Sequence, residues 1–322
     1  MFNIAIIGAG QLGGRHLQAL LKYTKLLHIC VIDPSDAALR EAKTRAEDSK
    51  YGADHNVTFA TTLTSLPGHI DYAIVATSSD VRMTVIEQLI AQSSVRNLLL
   101  EKVLFQRGAE YAHAIQMLDL AGVRTWVDCP RRVFPFYKRV QEFFNGETIC
   151  SFNVTGGSWG LACNGVHFLD LFAYLSGEIV NKIDTALLDP KVIDSRRRGF
   201  VEVTGTLTGR SANAHFSVTS WSGVAAGIVV AVRSPTRSCV IDETGGVAFF
   251  GNHAINAWDR ELFALPFLSD ALTGVASGIL ETGSSALPSL SESSAVHLPF
   301  ITSLGLFISE RTGRSDGTCP IT

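Results

Sequence analysis

The sequence predicts an α/β protein, with an N-terminal doubly wound parallel sheet followed by a C-terminal α+β domain whose open sheet is mostly antiparallel. Three observations carry this. Short apolar runs alternate with helical patterns up to about residue 128, strand-like runs linked by Gly/Ser/Pro turns follow in the second half, and a glycine-rich turn joins the first strand to the first helix. Two domains, 1–128 and 129–322, suit a chain of 322 residues.

The elements follow in order. Residues 2–7 read as a strand and 14–23 as its helix. A second strand over 27–33 precedes a charged, Ala-rich helix from Ser35 to about Lys50. Strands at 57–60, 72–77, 98–103 and 123–128 complete the series, with a helix over 80–92. Unbroken apolar runs of this kind suit parallel strands covered on both faces. After Pro130 the pattern changes. Residues 136–144 are helical, 148–156 alternate as a strand and 167–175 form a helix. Strand-like stretches at 199–208, 212–220, 227–233 and 238–242 are tightly linked, which implies antiparallel pairing with one face open. A last helix over about 289–312 contains Pro299, which should bend or break it.

Composition narrows the function. Hydrophobic residues make up 46% and charged residues 18%, enough apolar surface for a substantial core. Twenty-seven basic against thirty acidic residues give a net charge of −3, without the electrostatic footprint of a nucleic-acid or anionic-membrane binder. The N-terminus lacks the basic segment of a signal peptide. No apolar run reaches the roughly 18 residues of a spanning helix, and 262–280 is interrupted by Pro266, Ser269, Asp270 and two glycines. Cys30, Cys129, Cys150, Cys163, Cys239 and Cys319 are scattered, so neither a disulfide framework nor a metal site is expected. The reading is a soluble cytoplasmic protein.

The clearest motif is Gly8-Ala9-Gly10-Gln11-Leu12-Gly13, directly after a strand and before a helix. Its first glycine permits the tight turn, its second lets the backbone approach a pyrophosphate, and its third lets helix and strand pack closely. The helix then presents free N–H groups and a positive dipole end. Asp33, at the end of the second strand, is placed to accept bonds from the ribose hydroxyls of the adenosine. It would repel a 2′-phosphate, and Pro34 and Ser35 supply no cation, so NAD is expected over NADP. Gln11, Leu12, Thr77, Ser78 and Glu101 complete the expected cofactor contacts. This is a Rossmann arrangement.

The fifth strand ends in Leu98-Leu99-Leu100-Glu101-Lys102-Val103. Ligands of open parallel sheets bind beyond the carboxyl ends of the strands, so Lys102 is placed where it can polarise a substrate hydroxyl as hydride leaves. Its bland alternative is a Glu–Lys pair at a solvated strand end.

GAGQLGGRH, ATSSDVR, LLLEKV, CPRRVFPFY, GVHFLDLFAYLSG and the closing LPSLSESSAVH with CPIT together resemble the Gfo/Idh/MocA family of NAD(P)-dependent oxidoreductases. The resemblance spans most of the chain and is weakest over about 180–285. It implies a Rossmann domain, a second domain whose open sheet forms a homodimer or homotetramer, and oxidation or reduction of a sugar, polyol or related substrate. It also implies that Lys102 is the lysine of the family's Glu-Lys-Pro motif, with Val103 in place of proline, and that His167 is the general acid/base. An imidazole suits that role near neutral pH. Where many members carry an aspartate four residues before the histidine, this chain has Cys163, followed by Asn164. Asn164 is then a candidate for orienting a substrate hydroxyl, and Asp170 shares the helix face of His167.

Arg131 and Arg132 follow the sixth strand near the expected crevice, and arginine suits a carboxylate or phosphate. The resemblance implies a substrate of carbohydrate type and the arginines an anionic group on it, with Arg131, Arg132, Asn164 and Cys163 as its expected contacts. Arg196 to Arg198 read as a solvated face. Trp159 and Tyr137 read as core residues or as sugar-stacking rings. The rival readings are a non-catalytic regulator that binds NAD or a sugar on the same fold, and a reductase of a non-sugar substrate.

Overall fold

In the computed structural model, which describes residues 1–49, 51 and 54–322, the N-terminal apolar runs pair as one parallel sheet. The chain runs β1 (Phe2–Ile7), α1 (Gln11–Leu21), β2 (Leu27–Ile32), α2 (Asp36–Glu47), β3 (Asn56–Ala60) and β4 (His69–Ile70). It continues through β5 (Tyr72–Val75), α3 (Arg82–Gln92), β6 (Ser94–Val95), β7 (Asn97–Leu100), α4 (Gly108–Leu120) and β8 (Arg124–Val127). The main sheet has the order β3-β2-β1-β5-β7-β8, with β4 and β6 as a small separate pair. The strand order reverses at β1, as the doubly wound class requires. β5 and β7 are buried at every position, which explains their uninterrupted apolar runs. The expected end of the second helix at Lys50 lies outside the described residues.

The second half begins with a 3₁₀ turn (Pro130–Val133) and runs α5 (Pro135–Phe143), β9 (Ser151–Gly157), α6 (Leu161–Ser176), β10 (Lys182–Leu188), β11 (Ile193–Asp194) and β12 (Val201–Glu202). Then come β13 (Gly205–Arg210), β14 (His215–Trp221), β15 (Val229–Arg233), β16 (Arg237–Asp242), β17 (Val247–Asn252) and β18 (Ala257–Leu262). The sheet order is β10-β13-β14-β9-β15-β16-β17-β18, antiparallel except for the β14–β9 pair, and β11 pairs with β12. Side chains alternate between a buried face and an open one, as in β9. On the buried face Phe152, Phe172 and Phe216 meet with ring centroids 5.6–5.7 Å apart, fixing α6 over β9 and β14.

Two compact units result, and the chain divides between them less simply than at residue 128. Residues 266–292 belong with the N-terminal unit. Their helix, α7 (Leu268–Thr282), lays Val275, Ala276 and Ile279 into the core that holds Leu17, Leu20 and Leu21 of α1. Thr273 donates to the Ala19 carbonyl at 3.0 Å, and Lys22 pairs with Asp270. Of the interruptions that argue against a spanning helix here, Asp270 and Gly274 lie on the exposed side of an amphipathic helix, whereas Ser269 is buried.

Two expectations for the C-terminal unit are corrected. The helix expected over 167–175 starts at Leu161; Cys163, Asn164 and Gly165 are weak helix formers, but Gly165 lets the helix pack tightly. A Cβ at Gly165 would stand 3.0 Å from two carbons of the Phe300 ring. Pro299 lies inside the continuous helix α8 (Leu290–Thr312) rather than ending it. Val296, Phe300, Ile301 and Leu304 are buried on either side of it, and that packing outweighs one missing backbone bond. No helix among the described residues is long and apolar enough to cross a membrane.

Candidate functional site

Between β1 and α1 the chain turns at Gly8, whose φ of +100° no side chain favours. A Cβ there would lie 2.8 Å from the Ala76 carbonyl carbon, so the residue admits the β5 loop as well as the turn. A Cβ at Gly13 would fall 1.8 Å from the Gly8 carbonyl oxygen. At Gly10 it would meet nothing within 4 Å. Gly10 precedes α1, and no side chain caps that helix. The first-turn amides, with Gln11 and Leu12 among them, thus border open space, and a pyrophosphate fits there.

Asp33 is half-buried at the same turn. Its Oδ2 accepts from the Ala9 amide at 2.7 Å and its Oδ1 from the Ser35 amide at 2.8 Å. A carboxylate has about four acceptor positions, so two bonds to the loop hold it while leaving capacity for ribose hydroxyls. Thr77 follows β5, and its Oγ1 is buried with no hydrogen-bond partner among the described residues. Ser78 turns its hydroxyl to Asp80 at 2.5 Å.

At the end of β7, Glu101 and Lys102 are 3% and 8% exposed. Glu101, expected at the cofactor, turns inward instead and meets His16 Nε2 at 2.9 Å. Asp128, just after β8, brings its Oδ2 to 3.7 Å from the same nitrogen. Burial opposes the Glu101 charge, but the bond and charge of His16, then Lys102 and Arg82, hold its carboxyl below the usual range. Burial likewise opposes the His16 imidazolium and is outweighed by Glu101 and Asp128, which raise it. For Asp128 the charges of His16 and Lys102 also oppose the rise, but they are outweighed. Burial first, and then the charge of Glu101, push it up to about 7. The three donors face a common point, but His16 and Glu101 already bond each other and the nearby Lys102 and Arg82 oppose a cation.

Arg82, 1% exposed at the start of α3, donates to the carbonyls of Thr77, Val103 and Leu104, the last at 2.8 Å. It thereby ties the segment after Lys102 to the loop after β5. The Lys102–Val103 peptide bond is cis. Arg131 and Arg132 stand in the 3₁₀ turn, with the charge of Arg132 felt by Glu292, whose carboxyl is lowered mainly by bonds from Ser289 against the effect of burial.

In the C-terminal unit, α6 buries Leu161, Val166, Phe168, Leu169 and Phe172 and leaves Cys163, Asn164 and His167 half-buried. These are i, i+1 and i+4, one face of a helix. Asn164 Nδ2 donates to the Trp159 carbonyl at 2.8 Å, and Cys163 Sγ to the Thr322 carbonyl at 2.8 Å. The carboxylate of Glu202 accepts from the Ala162 and Cys163 amides, the second at 3.2 Å, supplying the cap that Gly160 lacks. Trp159 bonds the Thr219 carbonyl at 2.8 Å and packs edge-on to Phe168; Tyr137 is fully buried. Both rings are structural. Asp170 is 1% exposed, and Arg196 to Arg198 are exposed.

His16, Arg82, Asp128 and Glu202 were not singled out from the sequence. His16 carries the one visible signal, a polar residue among the inward positions Gly13, Leu17 and Leu20 of an amphipathic helix.

Residues 2–129 match the family model described as "Oxidoreductase family, NAD-binding Rossmann fold". Over these residues the chain is similar to the Gfo/Idh/MocA oxidoreductases. No curated protein matches the chain. Among solved structures, an oxidoreductase from Agrobacterium radiobacter in complex with NAD+, L-tartaric acid and magnesium is 14% identical with a TM-score of 0.74, covering 97% of each chain. A super-repressor mutant of Gal80p from Saccharomyces cerevisiae is 14% identical with a TM-score of 0.74, covering 96% of each. UDP-N-acetylglucosamine 3-dehydrogenase GnnA from Acidithiobacillus ferrooxidans is 14% identical with a TM-score of 0.71, over 96% of this chain and 97% of its own. At such identities the likeness is one of fold.

The buried acid Asp128 has a measurable consequence. With its folded pKa raised to about 7, Asp128 contributes stability that is complete below the ordinary carboxylate value and is lost as pH rises through about 7. Asp128→Asn is isosteric and escapes the loss. Its stability relative to wild type should therefore grow by about 2–3 kcal/mol between about pH 5 and 8, at roughly 1.4 kcal/mol per unit. Urea midpoints of both proteins at the two pH values measure this; a constant difference would contradict it.

Proposed function

We propose that the chain is an NAD-dependent oxidoreductase that moves a hydride between the nicotinamide and a secondary alcohol or carbonyl of a carbohydrate-type substrate: a sugar, polyol, sugar acid or nucleotide sugar. The observation that carries it is the open space at Gly10 before an uncapped helix, with Asp33 bonded to the same loop. Bound there, the dinucleotide supplies the carbon that takes or gives hydride. Gly8, Gly10 and Gly13 with the amides of Gln11 and Leu12 hold its pyrophosphate, Asp33 its ribose, and Thr77 and Ser78 flank it. The Asp33 carboxylate disfavours a 2′-phosphate, which supports NAD over NADP.

Lys102 polarises the substrate oxygen, and His167 exchanges its proton. An ammonium held in a poorly hydrated place stabilises a developing alkoxide far more than one in water. Asn164 and Cys163 on the accessible face of α6, with Arg131 and Arg132, are the proposed substrate contacts, and the arginines admit an anionic group. Glu101 acts through His16 and Lys102 rather than on the cofactor directly. None of the six cysteines is in a disulfide, which suits a cytoplasmic setting.

The test is NADH formation or loss with a panel of polyols, sugar acids and nucleotide sugars, with NAD and NADP in parallel. Turnover with NAD on any of them supports the reading. Tight NAD binding without turnover on any of them would favour a regulator, a reading to which the Gal80p likeness lends weight.

The open face of the large sheet supports a homodimer or homotetramer. Val240, Phe249, Trp258 and Leu262 are 36–68% exposed on it, with Phe249 paired to Val240 on one side and to Arg260 on the other. Such a patch favours a second copy through a self-complementary interface. Trp258→Asp should convert the oligomer to monomer in a sedimentation experiment, and a monomeric wild type at micromolar concentration would refute the assembly.

A further inference from the structure

Next to Lys102 in the sequence, Glu101 joins two other titratable side chains from separate elements in the buried interior. His16 comes from α1, Glu101 from the end of β7 and Asp128 from the end of β8, each at most 3% exposed and with donor atoms within 4.8 Å of one another. The imidazole Nε2 carries at most one hydrogen. It is given to Glu101 at 2.9 Å, while Asp128 Oδ2 stands at 3.7 Å, beyond a hydrogen bond. Asp128 Oδ1 is buried with no hydrogen-bond partner among the described residues. An ionised carboxylate in that position lacks the bonds that would stabilise it and lies beside a second carboxylate, so a proton is the least costly remedy.

We propose that the resting protein holds an exchangeable proton on Asp128, and that Asp128 is a positioning residue for Lys102, its charge state setting the pH range in which the lysine acts. The proposal rests on the reading of Lys102 as the group that polarises the substrate.

The facing charges come from each packed element: His16 from α1, Glu101 and Lys102 from β7, Arg82 from α3 and Tyr72 from β5. Arg82 is committed to the carbonyls of Thr77, Val103 and Leu104. Burial and the neighbouring carboxylates hold Tyr72 protonated. His16 and Glu101 are driven in opposite directions, toward an ion pair, which leaves Asp128 as the member that titrates near neutrality. Its ionisation adds one negative charge beside the Lys102 ammonium and restrains it; its protonation releases that hold.

Infrared spectra of the ligand-free protein across neutral pH test the proton. The carbonyl band of a protonated carboxyl group should vanish as pH rises through about 7, be absent in Asp128→Asn, and in Glu101→Gln titrate about one unit or more lower because the neighbouring charge is gone. The second readout is NAD-dependent turnover on the substrate found above. Across one pH unit on each side of the midpoint, kcat of the wild type should change about tenfold and that of Asp128→Asn less than about twofold, with KM little altered in either. A missing band, or one that survives in Asp128→Asn, overturns the proton. A kcat profile unchanged in Asp128→Asn overturns the positioning role. A protein whose band behaves as expected but which neither binds nor turns over NAD overturns the proposed function and leaves the proton in place.

Discussion

Gly13→Ala should cost at least about 100-fold in NAD affinity, about 2.7 kcal/mol, together with much of the fold's stability. The added carbon would lie 1.8 Å from the Gly8 carbonyl oxygen, and both contacting groups are backbone. Relief requires α1 to move away from β1, which displaces the first-turn amides that receive the phosphates. Gly10→Ala is the companion measurement. Its Cβ meets nothing within 4 Å, so the fold should keep its melting temperature while the new methyl group takes space the pyrophosphate needs. Fluorescence titration with NADH and thermal melts of the two variants separate the effects. Full NADH affinity in Gly10→Ala would mean that the cofactor does not approach the loop there.

Lys102→Met should lower kcat/KM by about 10³-fold, within the 10²–10⁴ range of a positioned proton-donating group, and leave the Kd for NADH within about threefold. Lys102 is 8% exposed, and methionine replaces its stem at similar volume, so the fold should tolerate the change. What disappears is the charge proposed to stabilise the substrate oxygen. The same substitution removes a cation from beside Glu101 and Asp128, both of whose charged forms it favours. Asp128 should therefore hold its proton to still higher pH in this variant. Stopped-flow absorbance of NADH gives the rate, and activity close to wild type would remove Lys102 from the chemistry.

Much of the cofactor end was legible along the chain because its signals are local. A strand, a glycine-rich turn and a helix are recognised from adjacent residues, and Asp33 follows from the end of the next strand. Lys102 was legible as a charge closing an apolar run. The sequence says less of Glu101: its bond to His16 links residues 85 apart and cannot be read from the strand end alone. The start of α6 was missed because Cys163, Asn164 and Gly165 are weak helix formers, and only the Phe300 ring shows why a glycine belongs there. The helix α7 is hard to read from the sequence because Ser269, Asp270 and two glycines interrupt its apolar run, and only the fold shows Asp270 and Gly274 on its exposed side.

The sequence by itself determined the class of fold, the strand-turn-helix that receives a dinucleotide, and Lys102 and His167 as the groups on which to test the chemistry. These follow from periodicity and turn chemistry, which act over a few residues. Only the tertiary structure decided that His16, Glu101 and Asp128 form one buried cluster, that Glu202 caps the helix carrying His167, and that residues 266–292 complete the N-terminal core. The protonation of a carboxylate depends on burial and on the charges within a few ångströms, and those neighbours lie tens of residues away until the sheet brings them together.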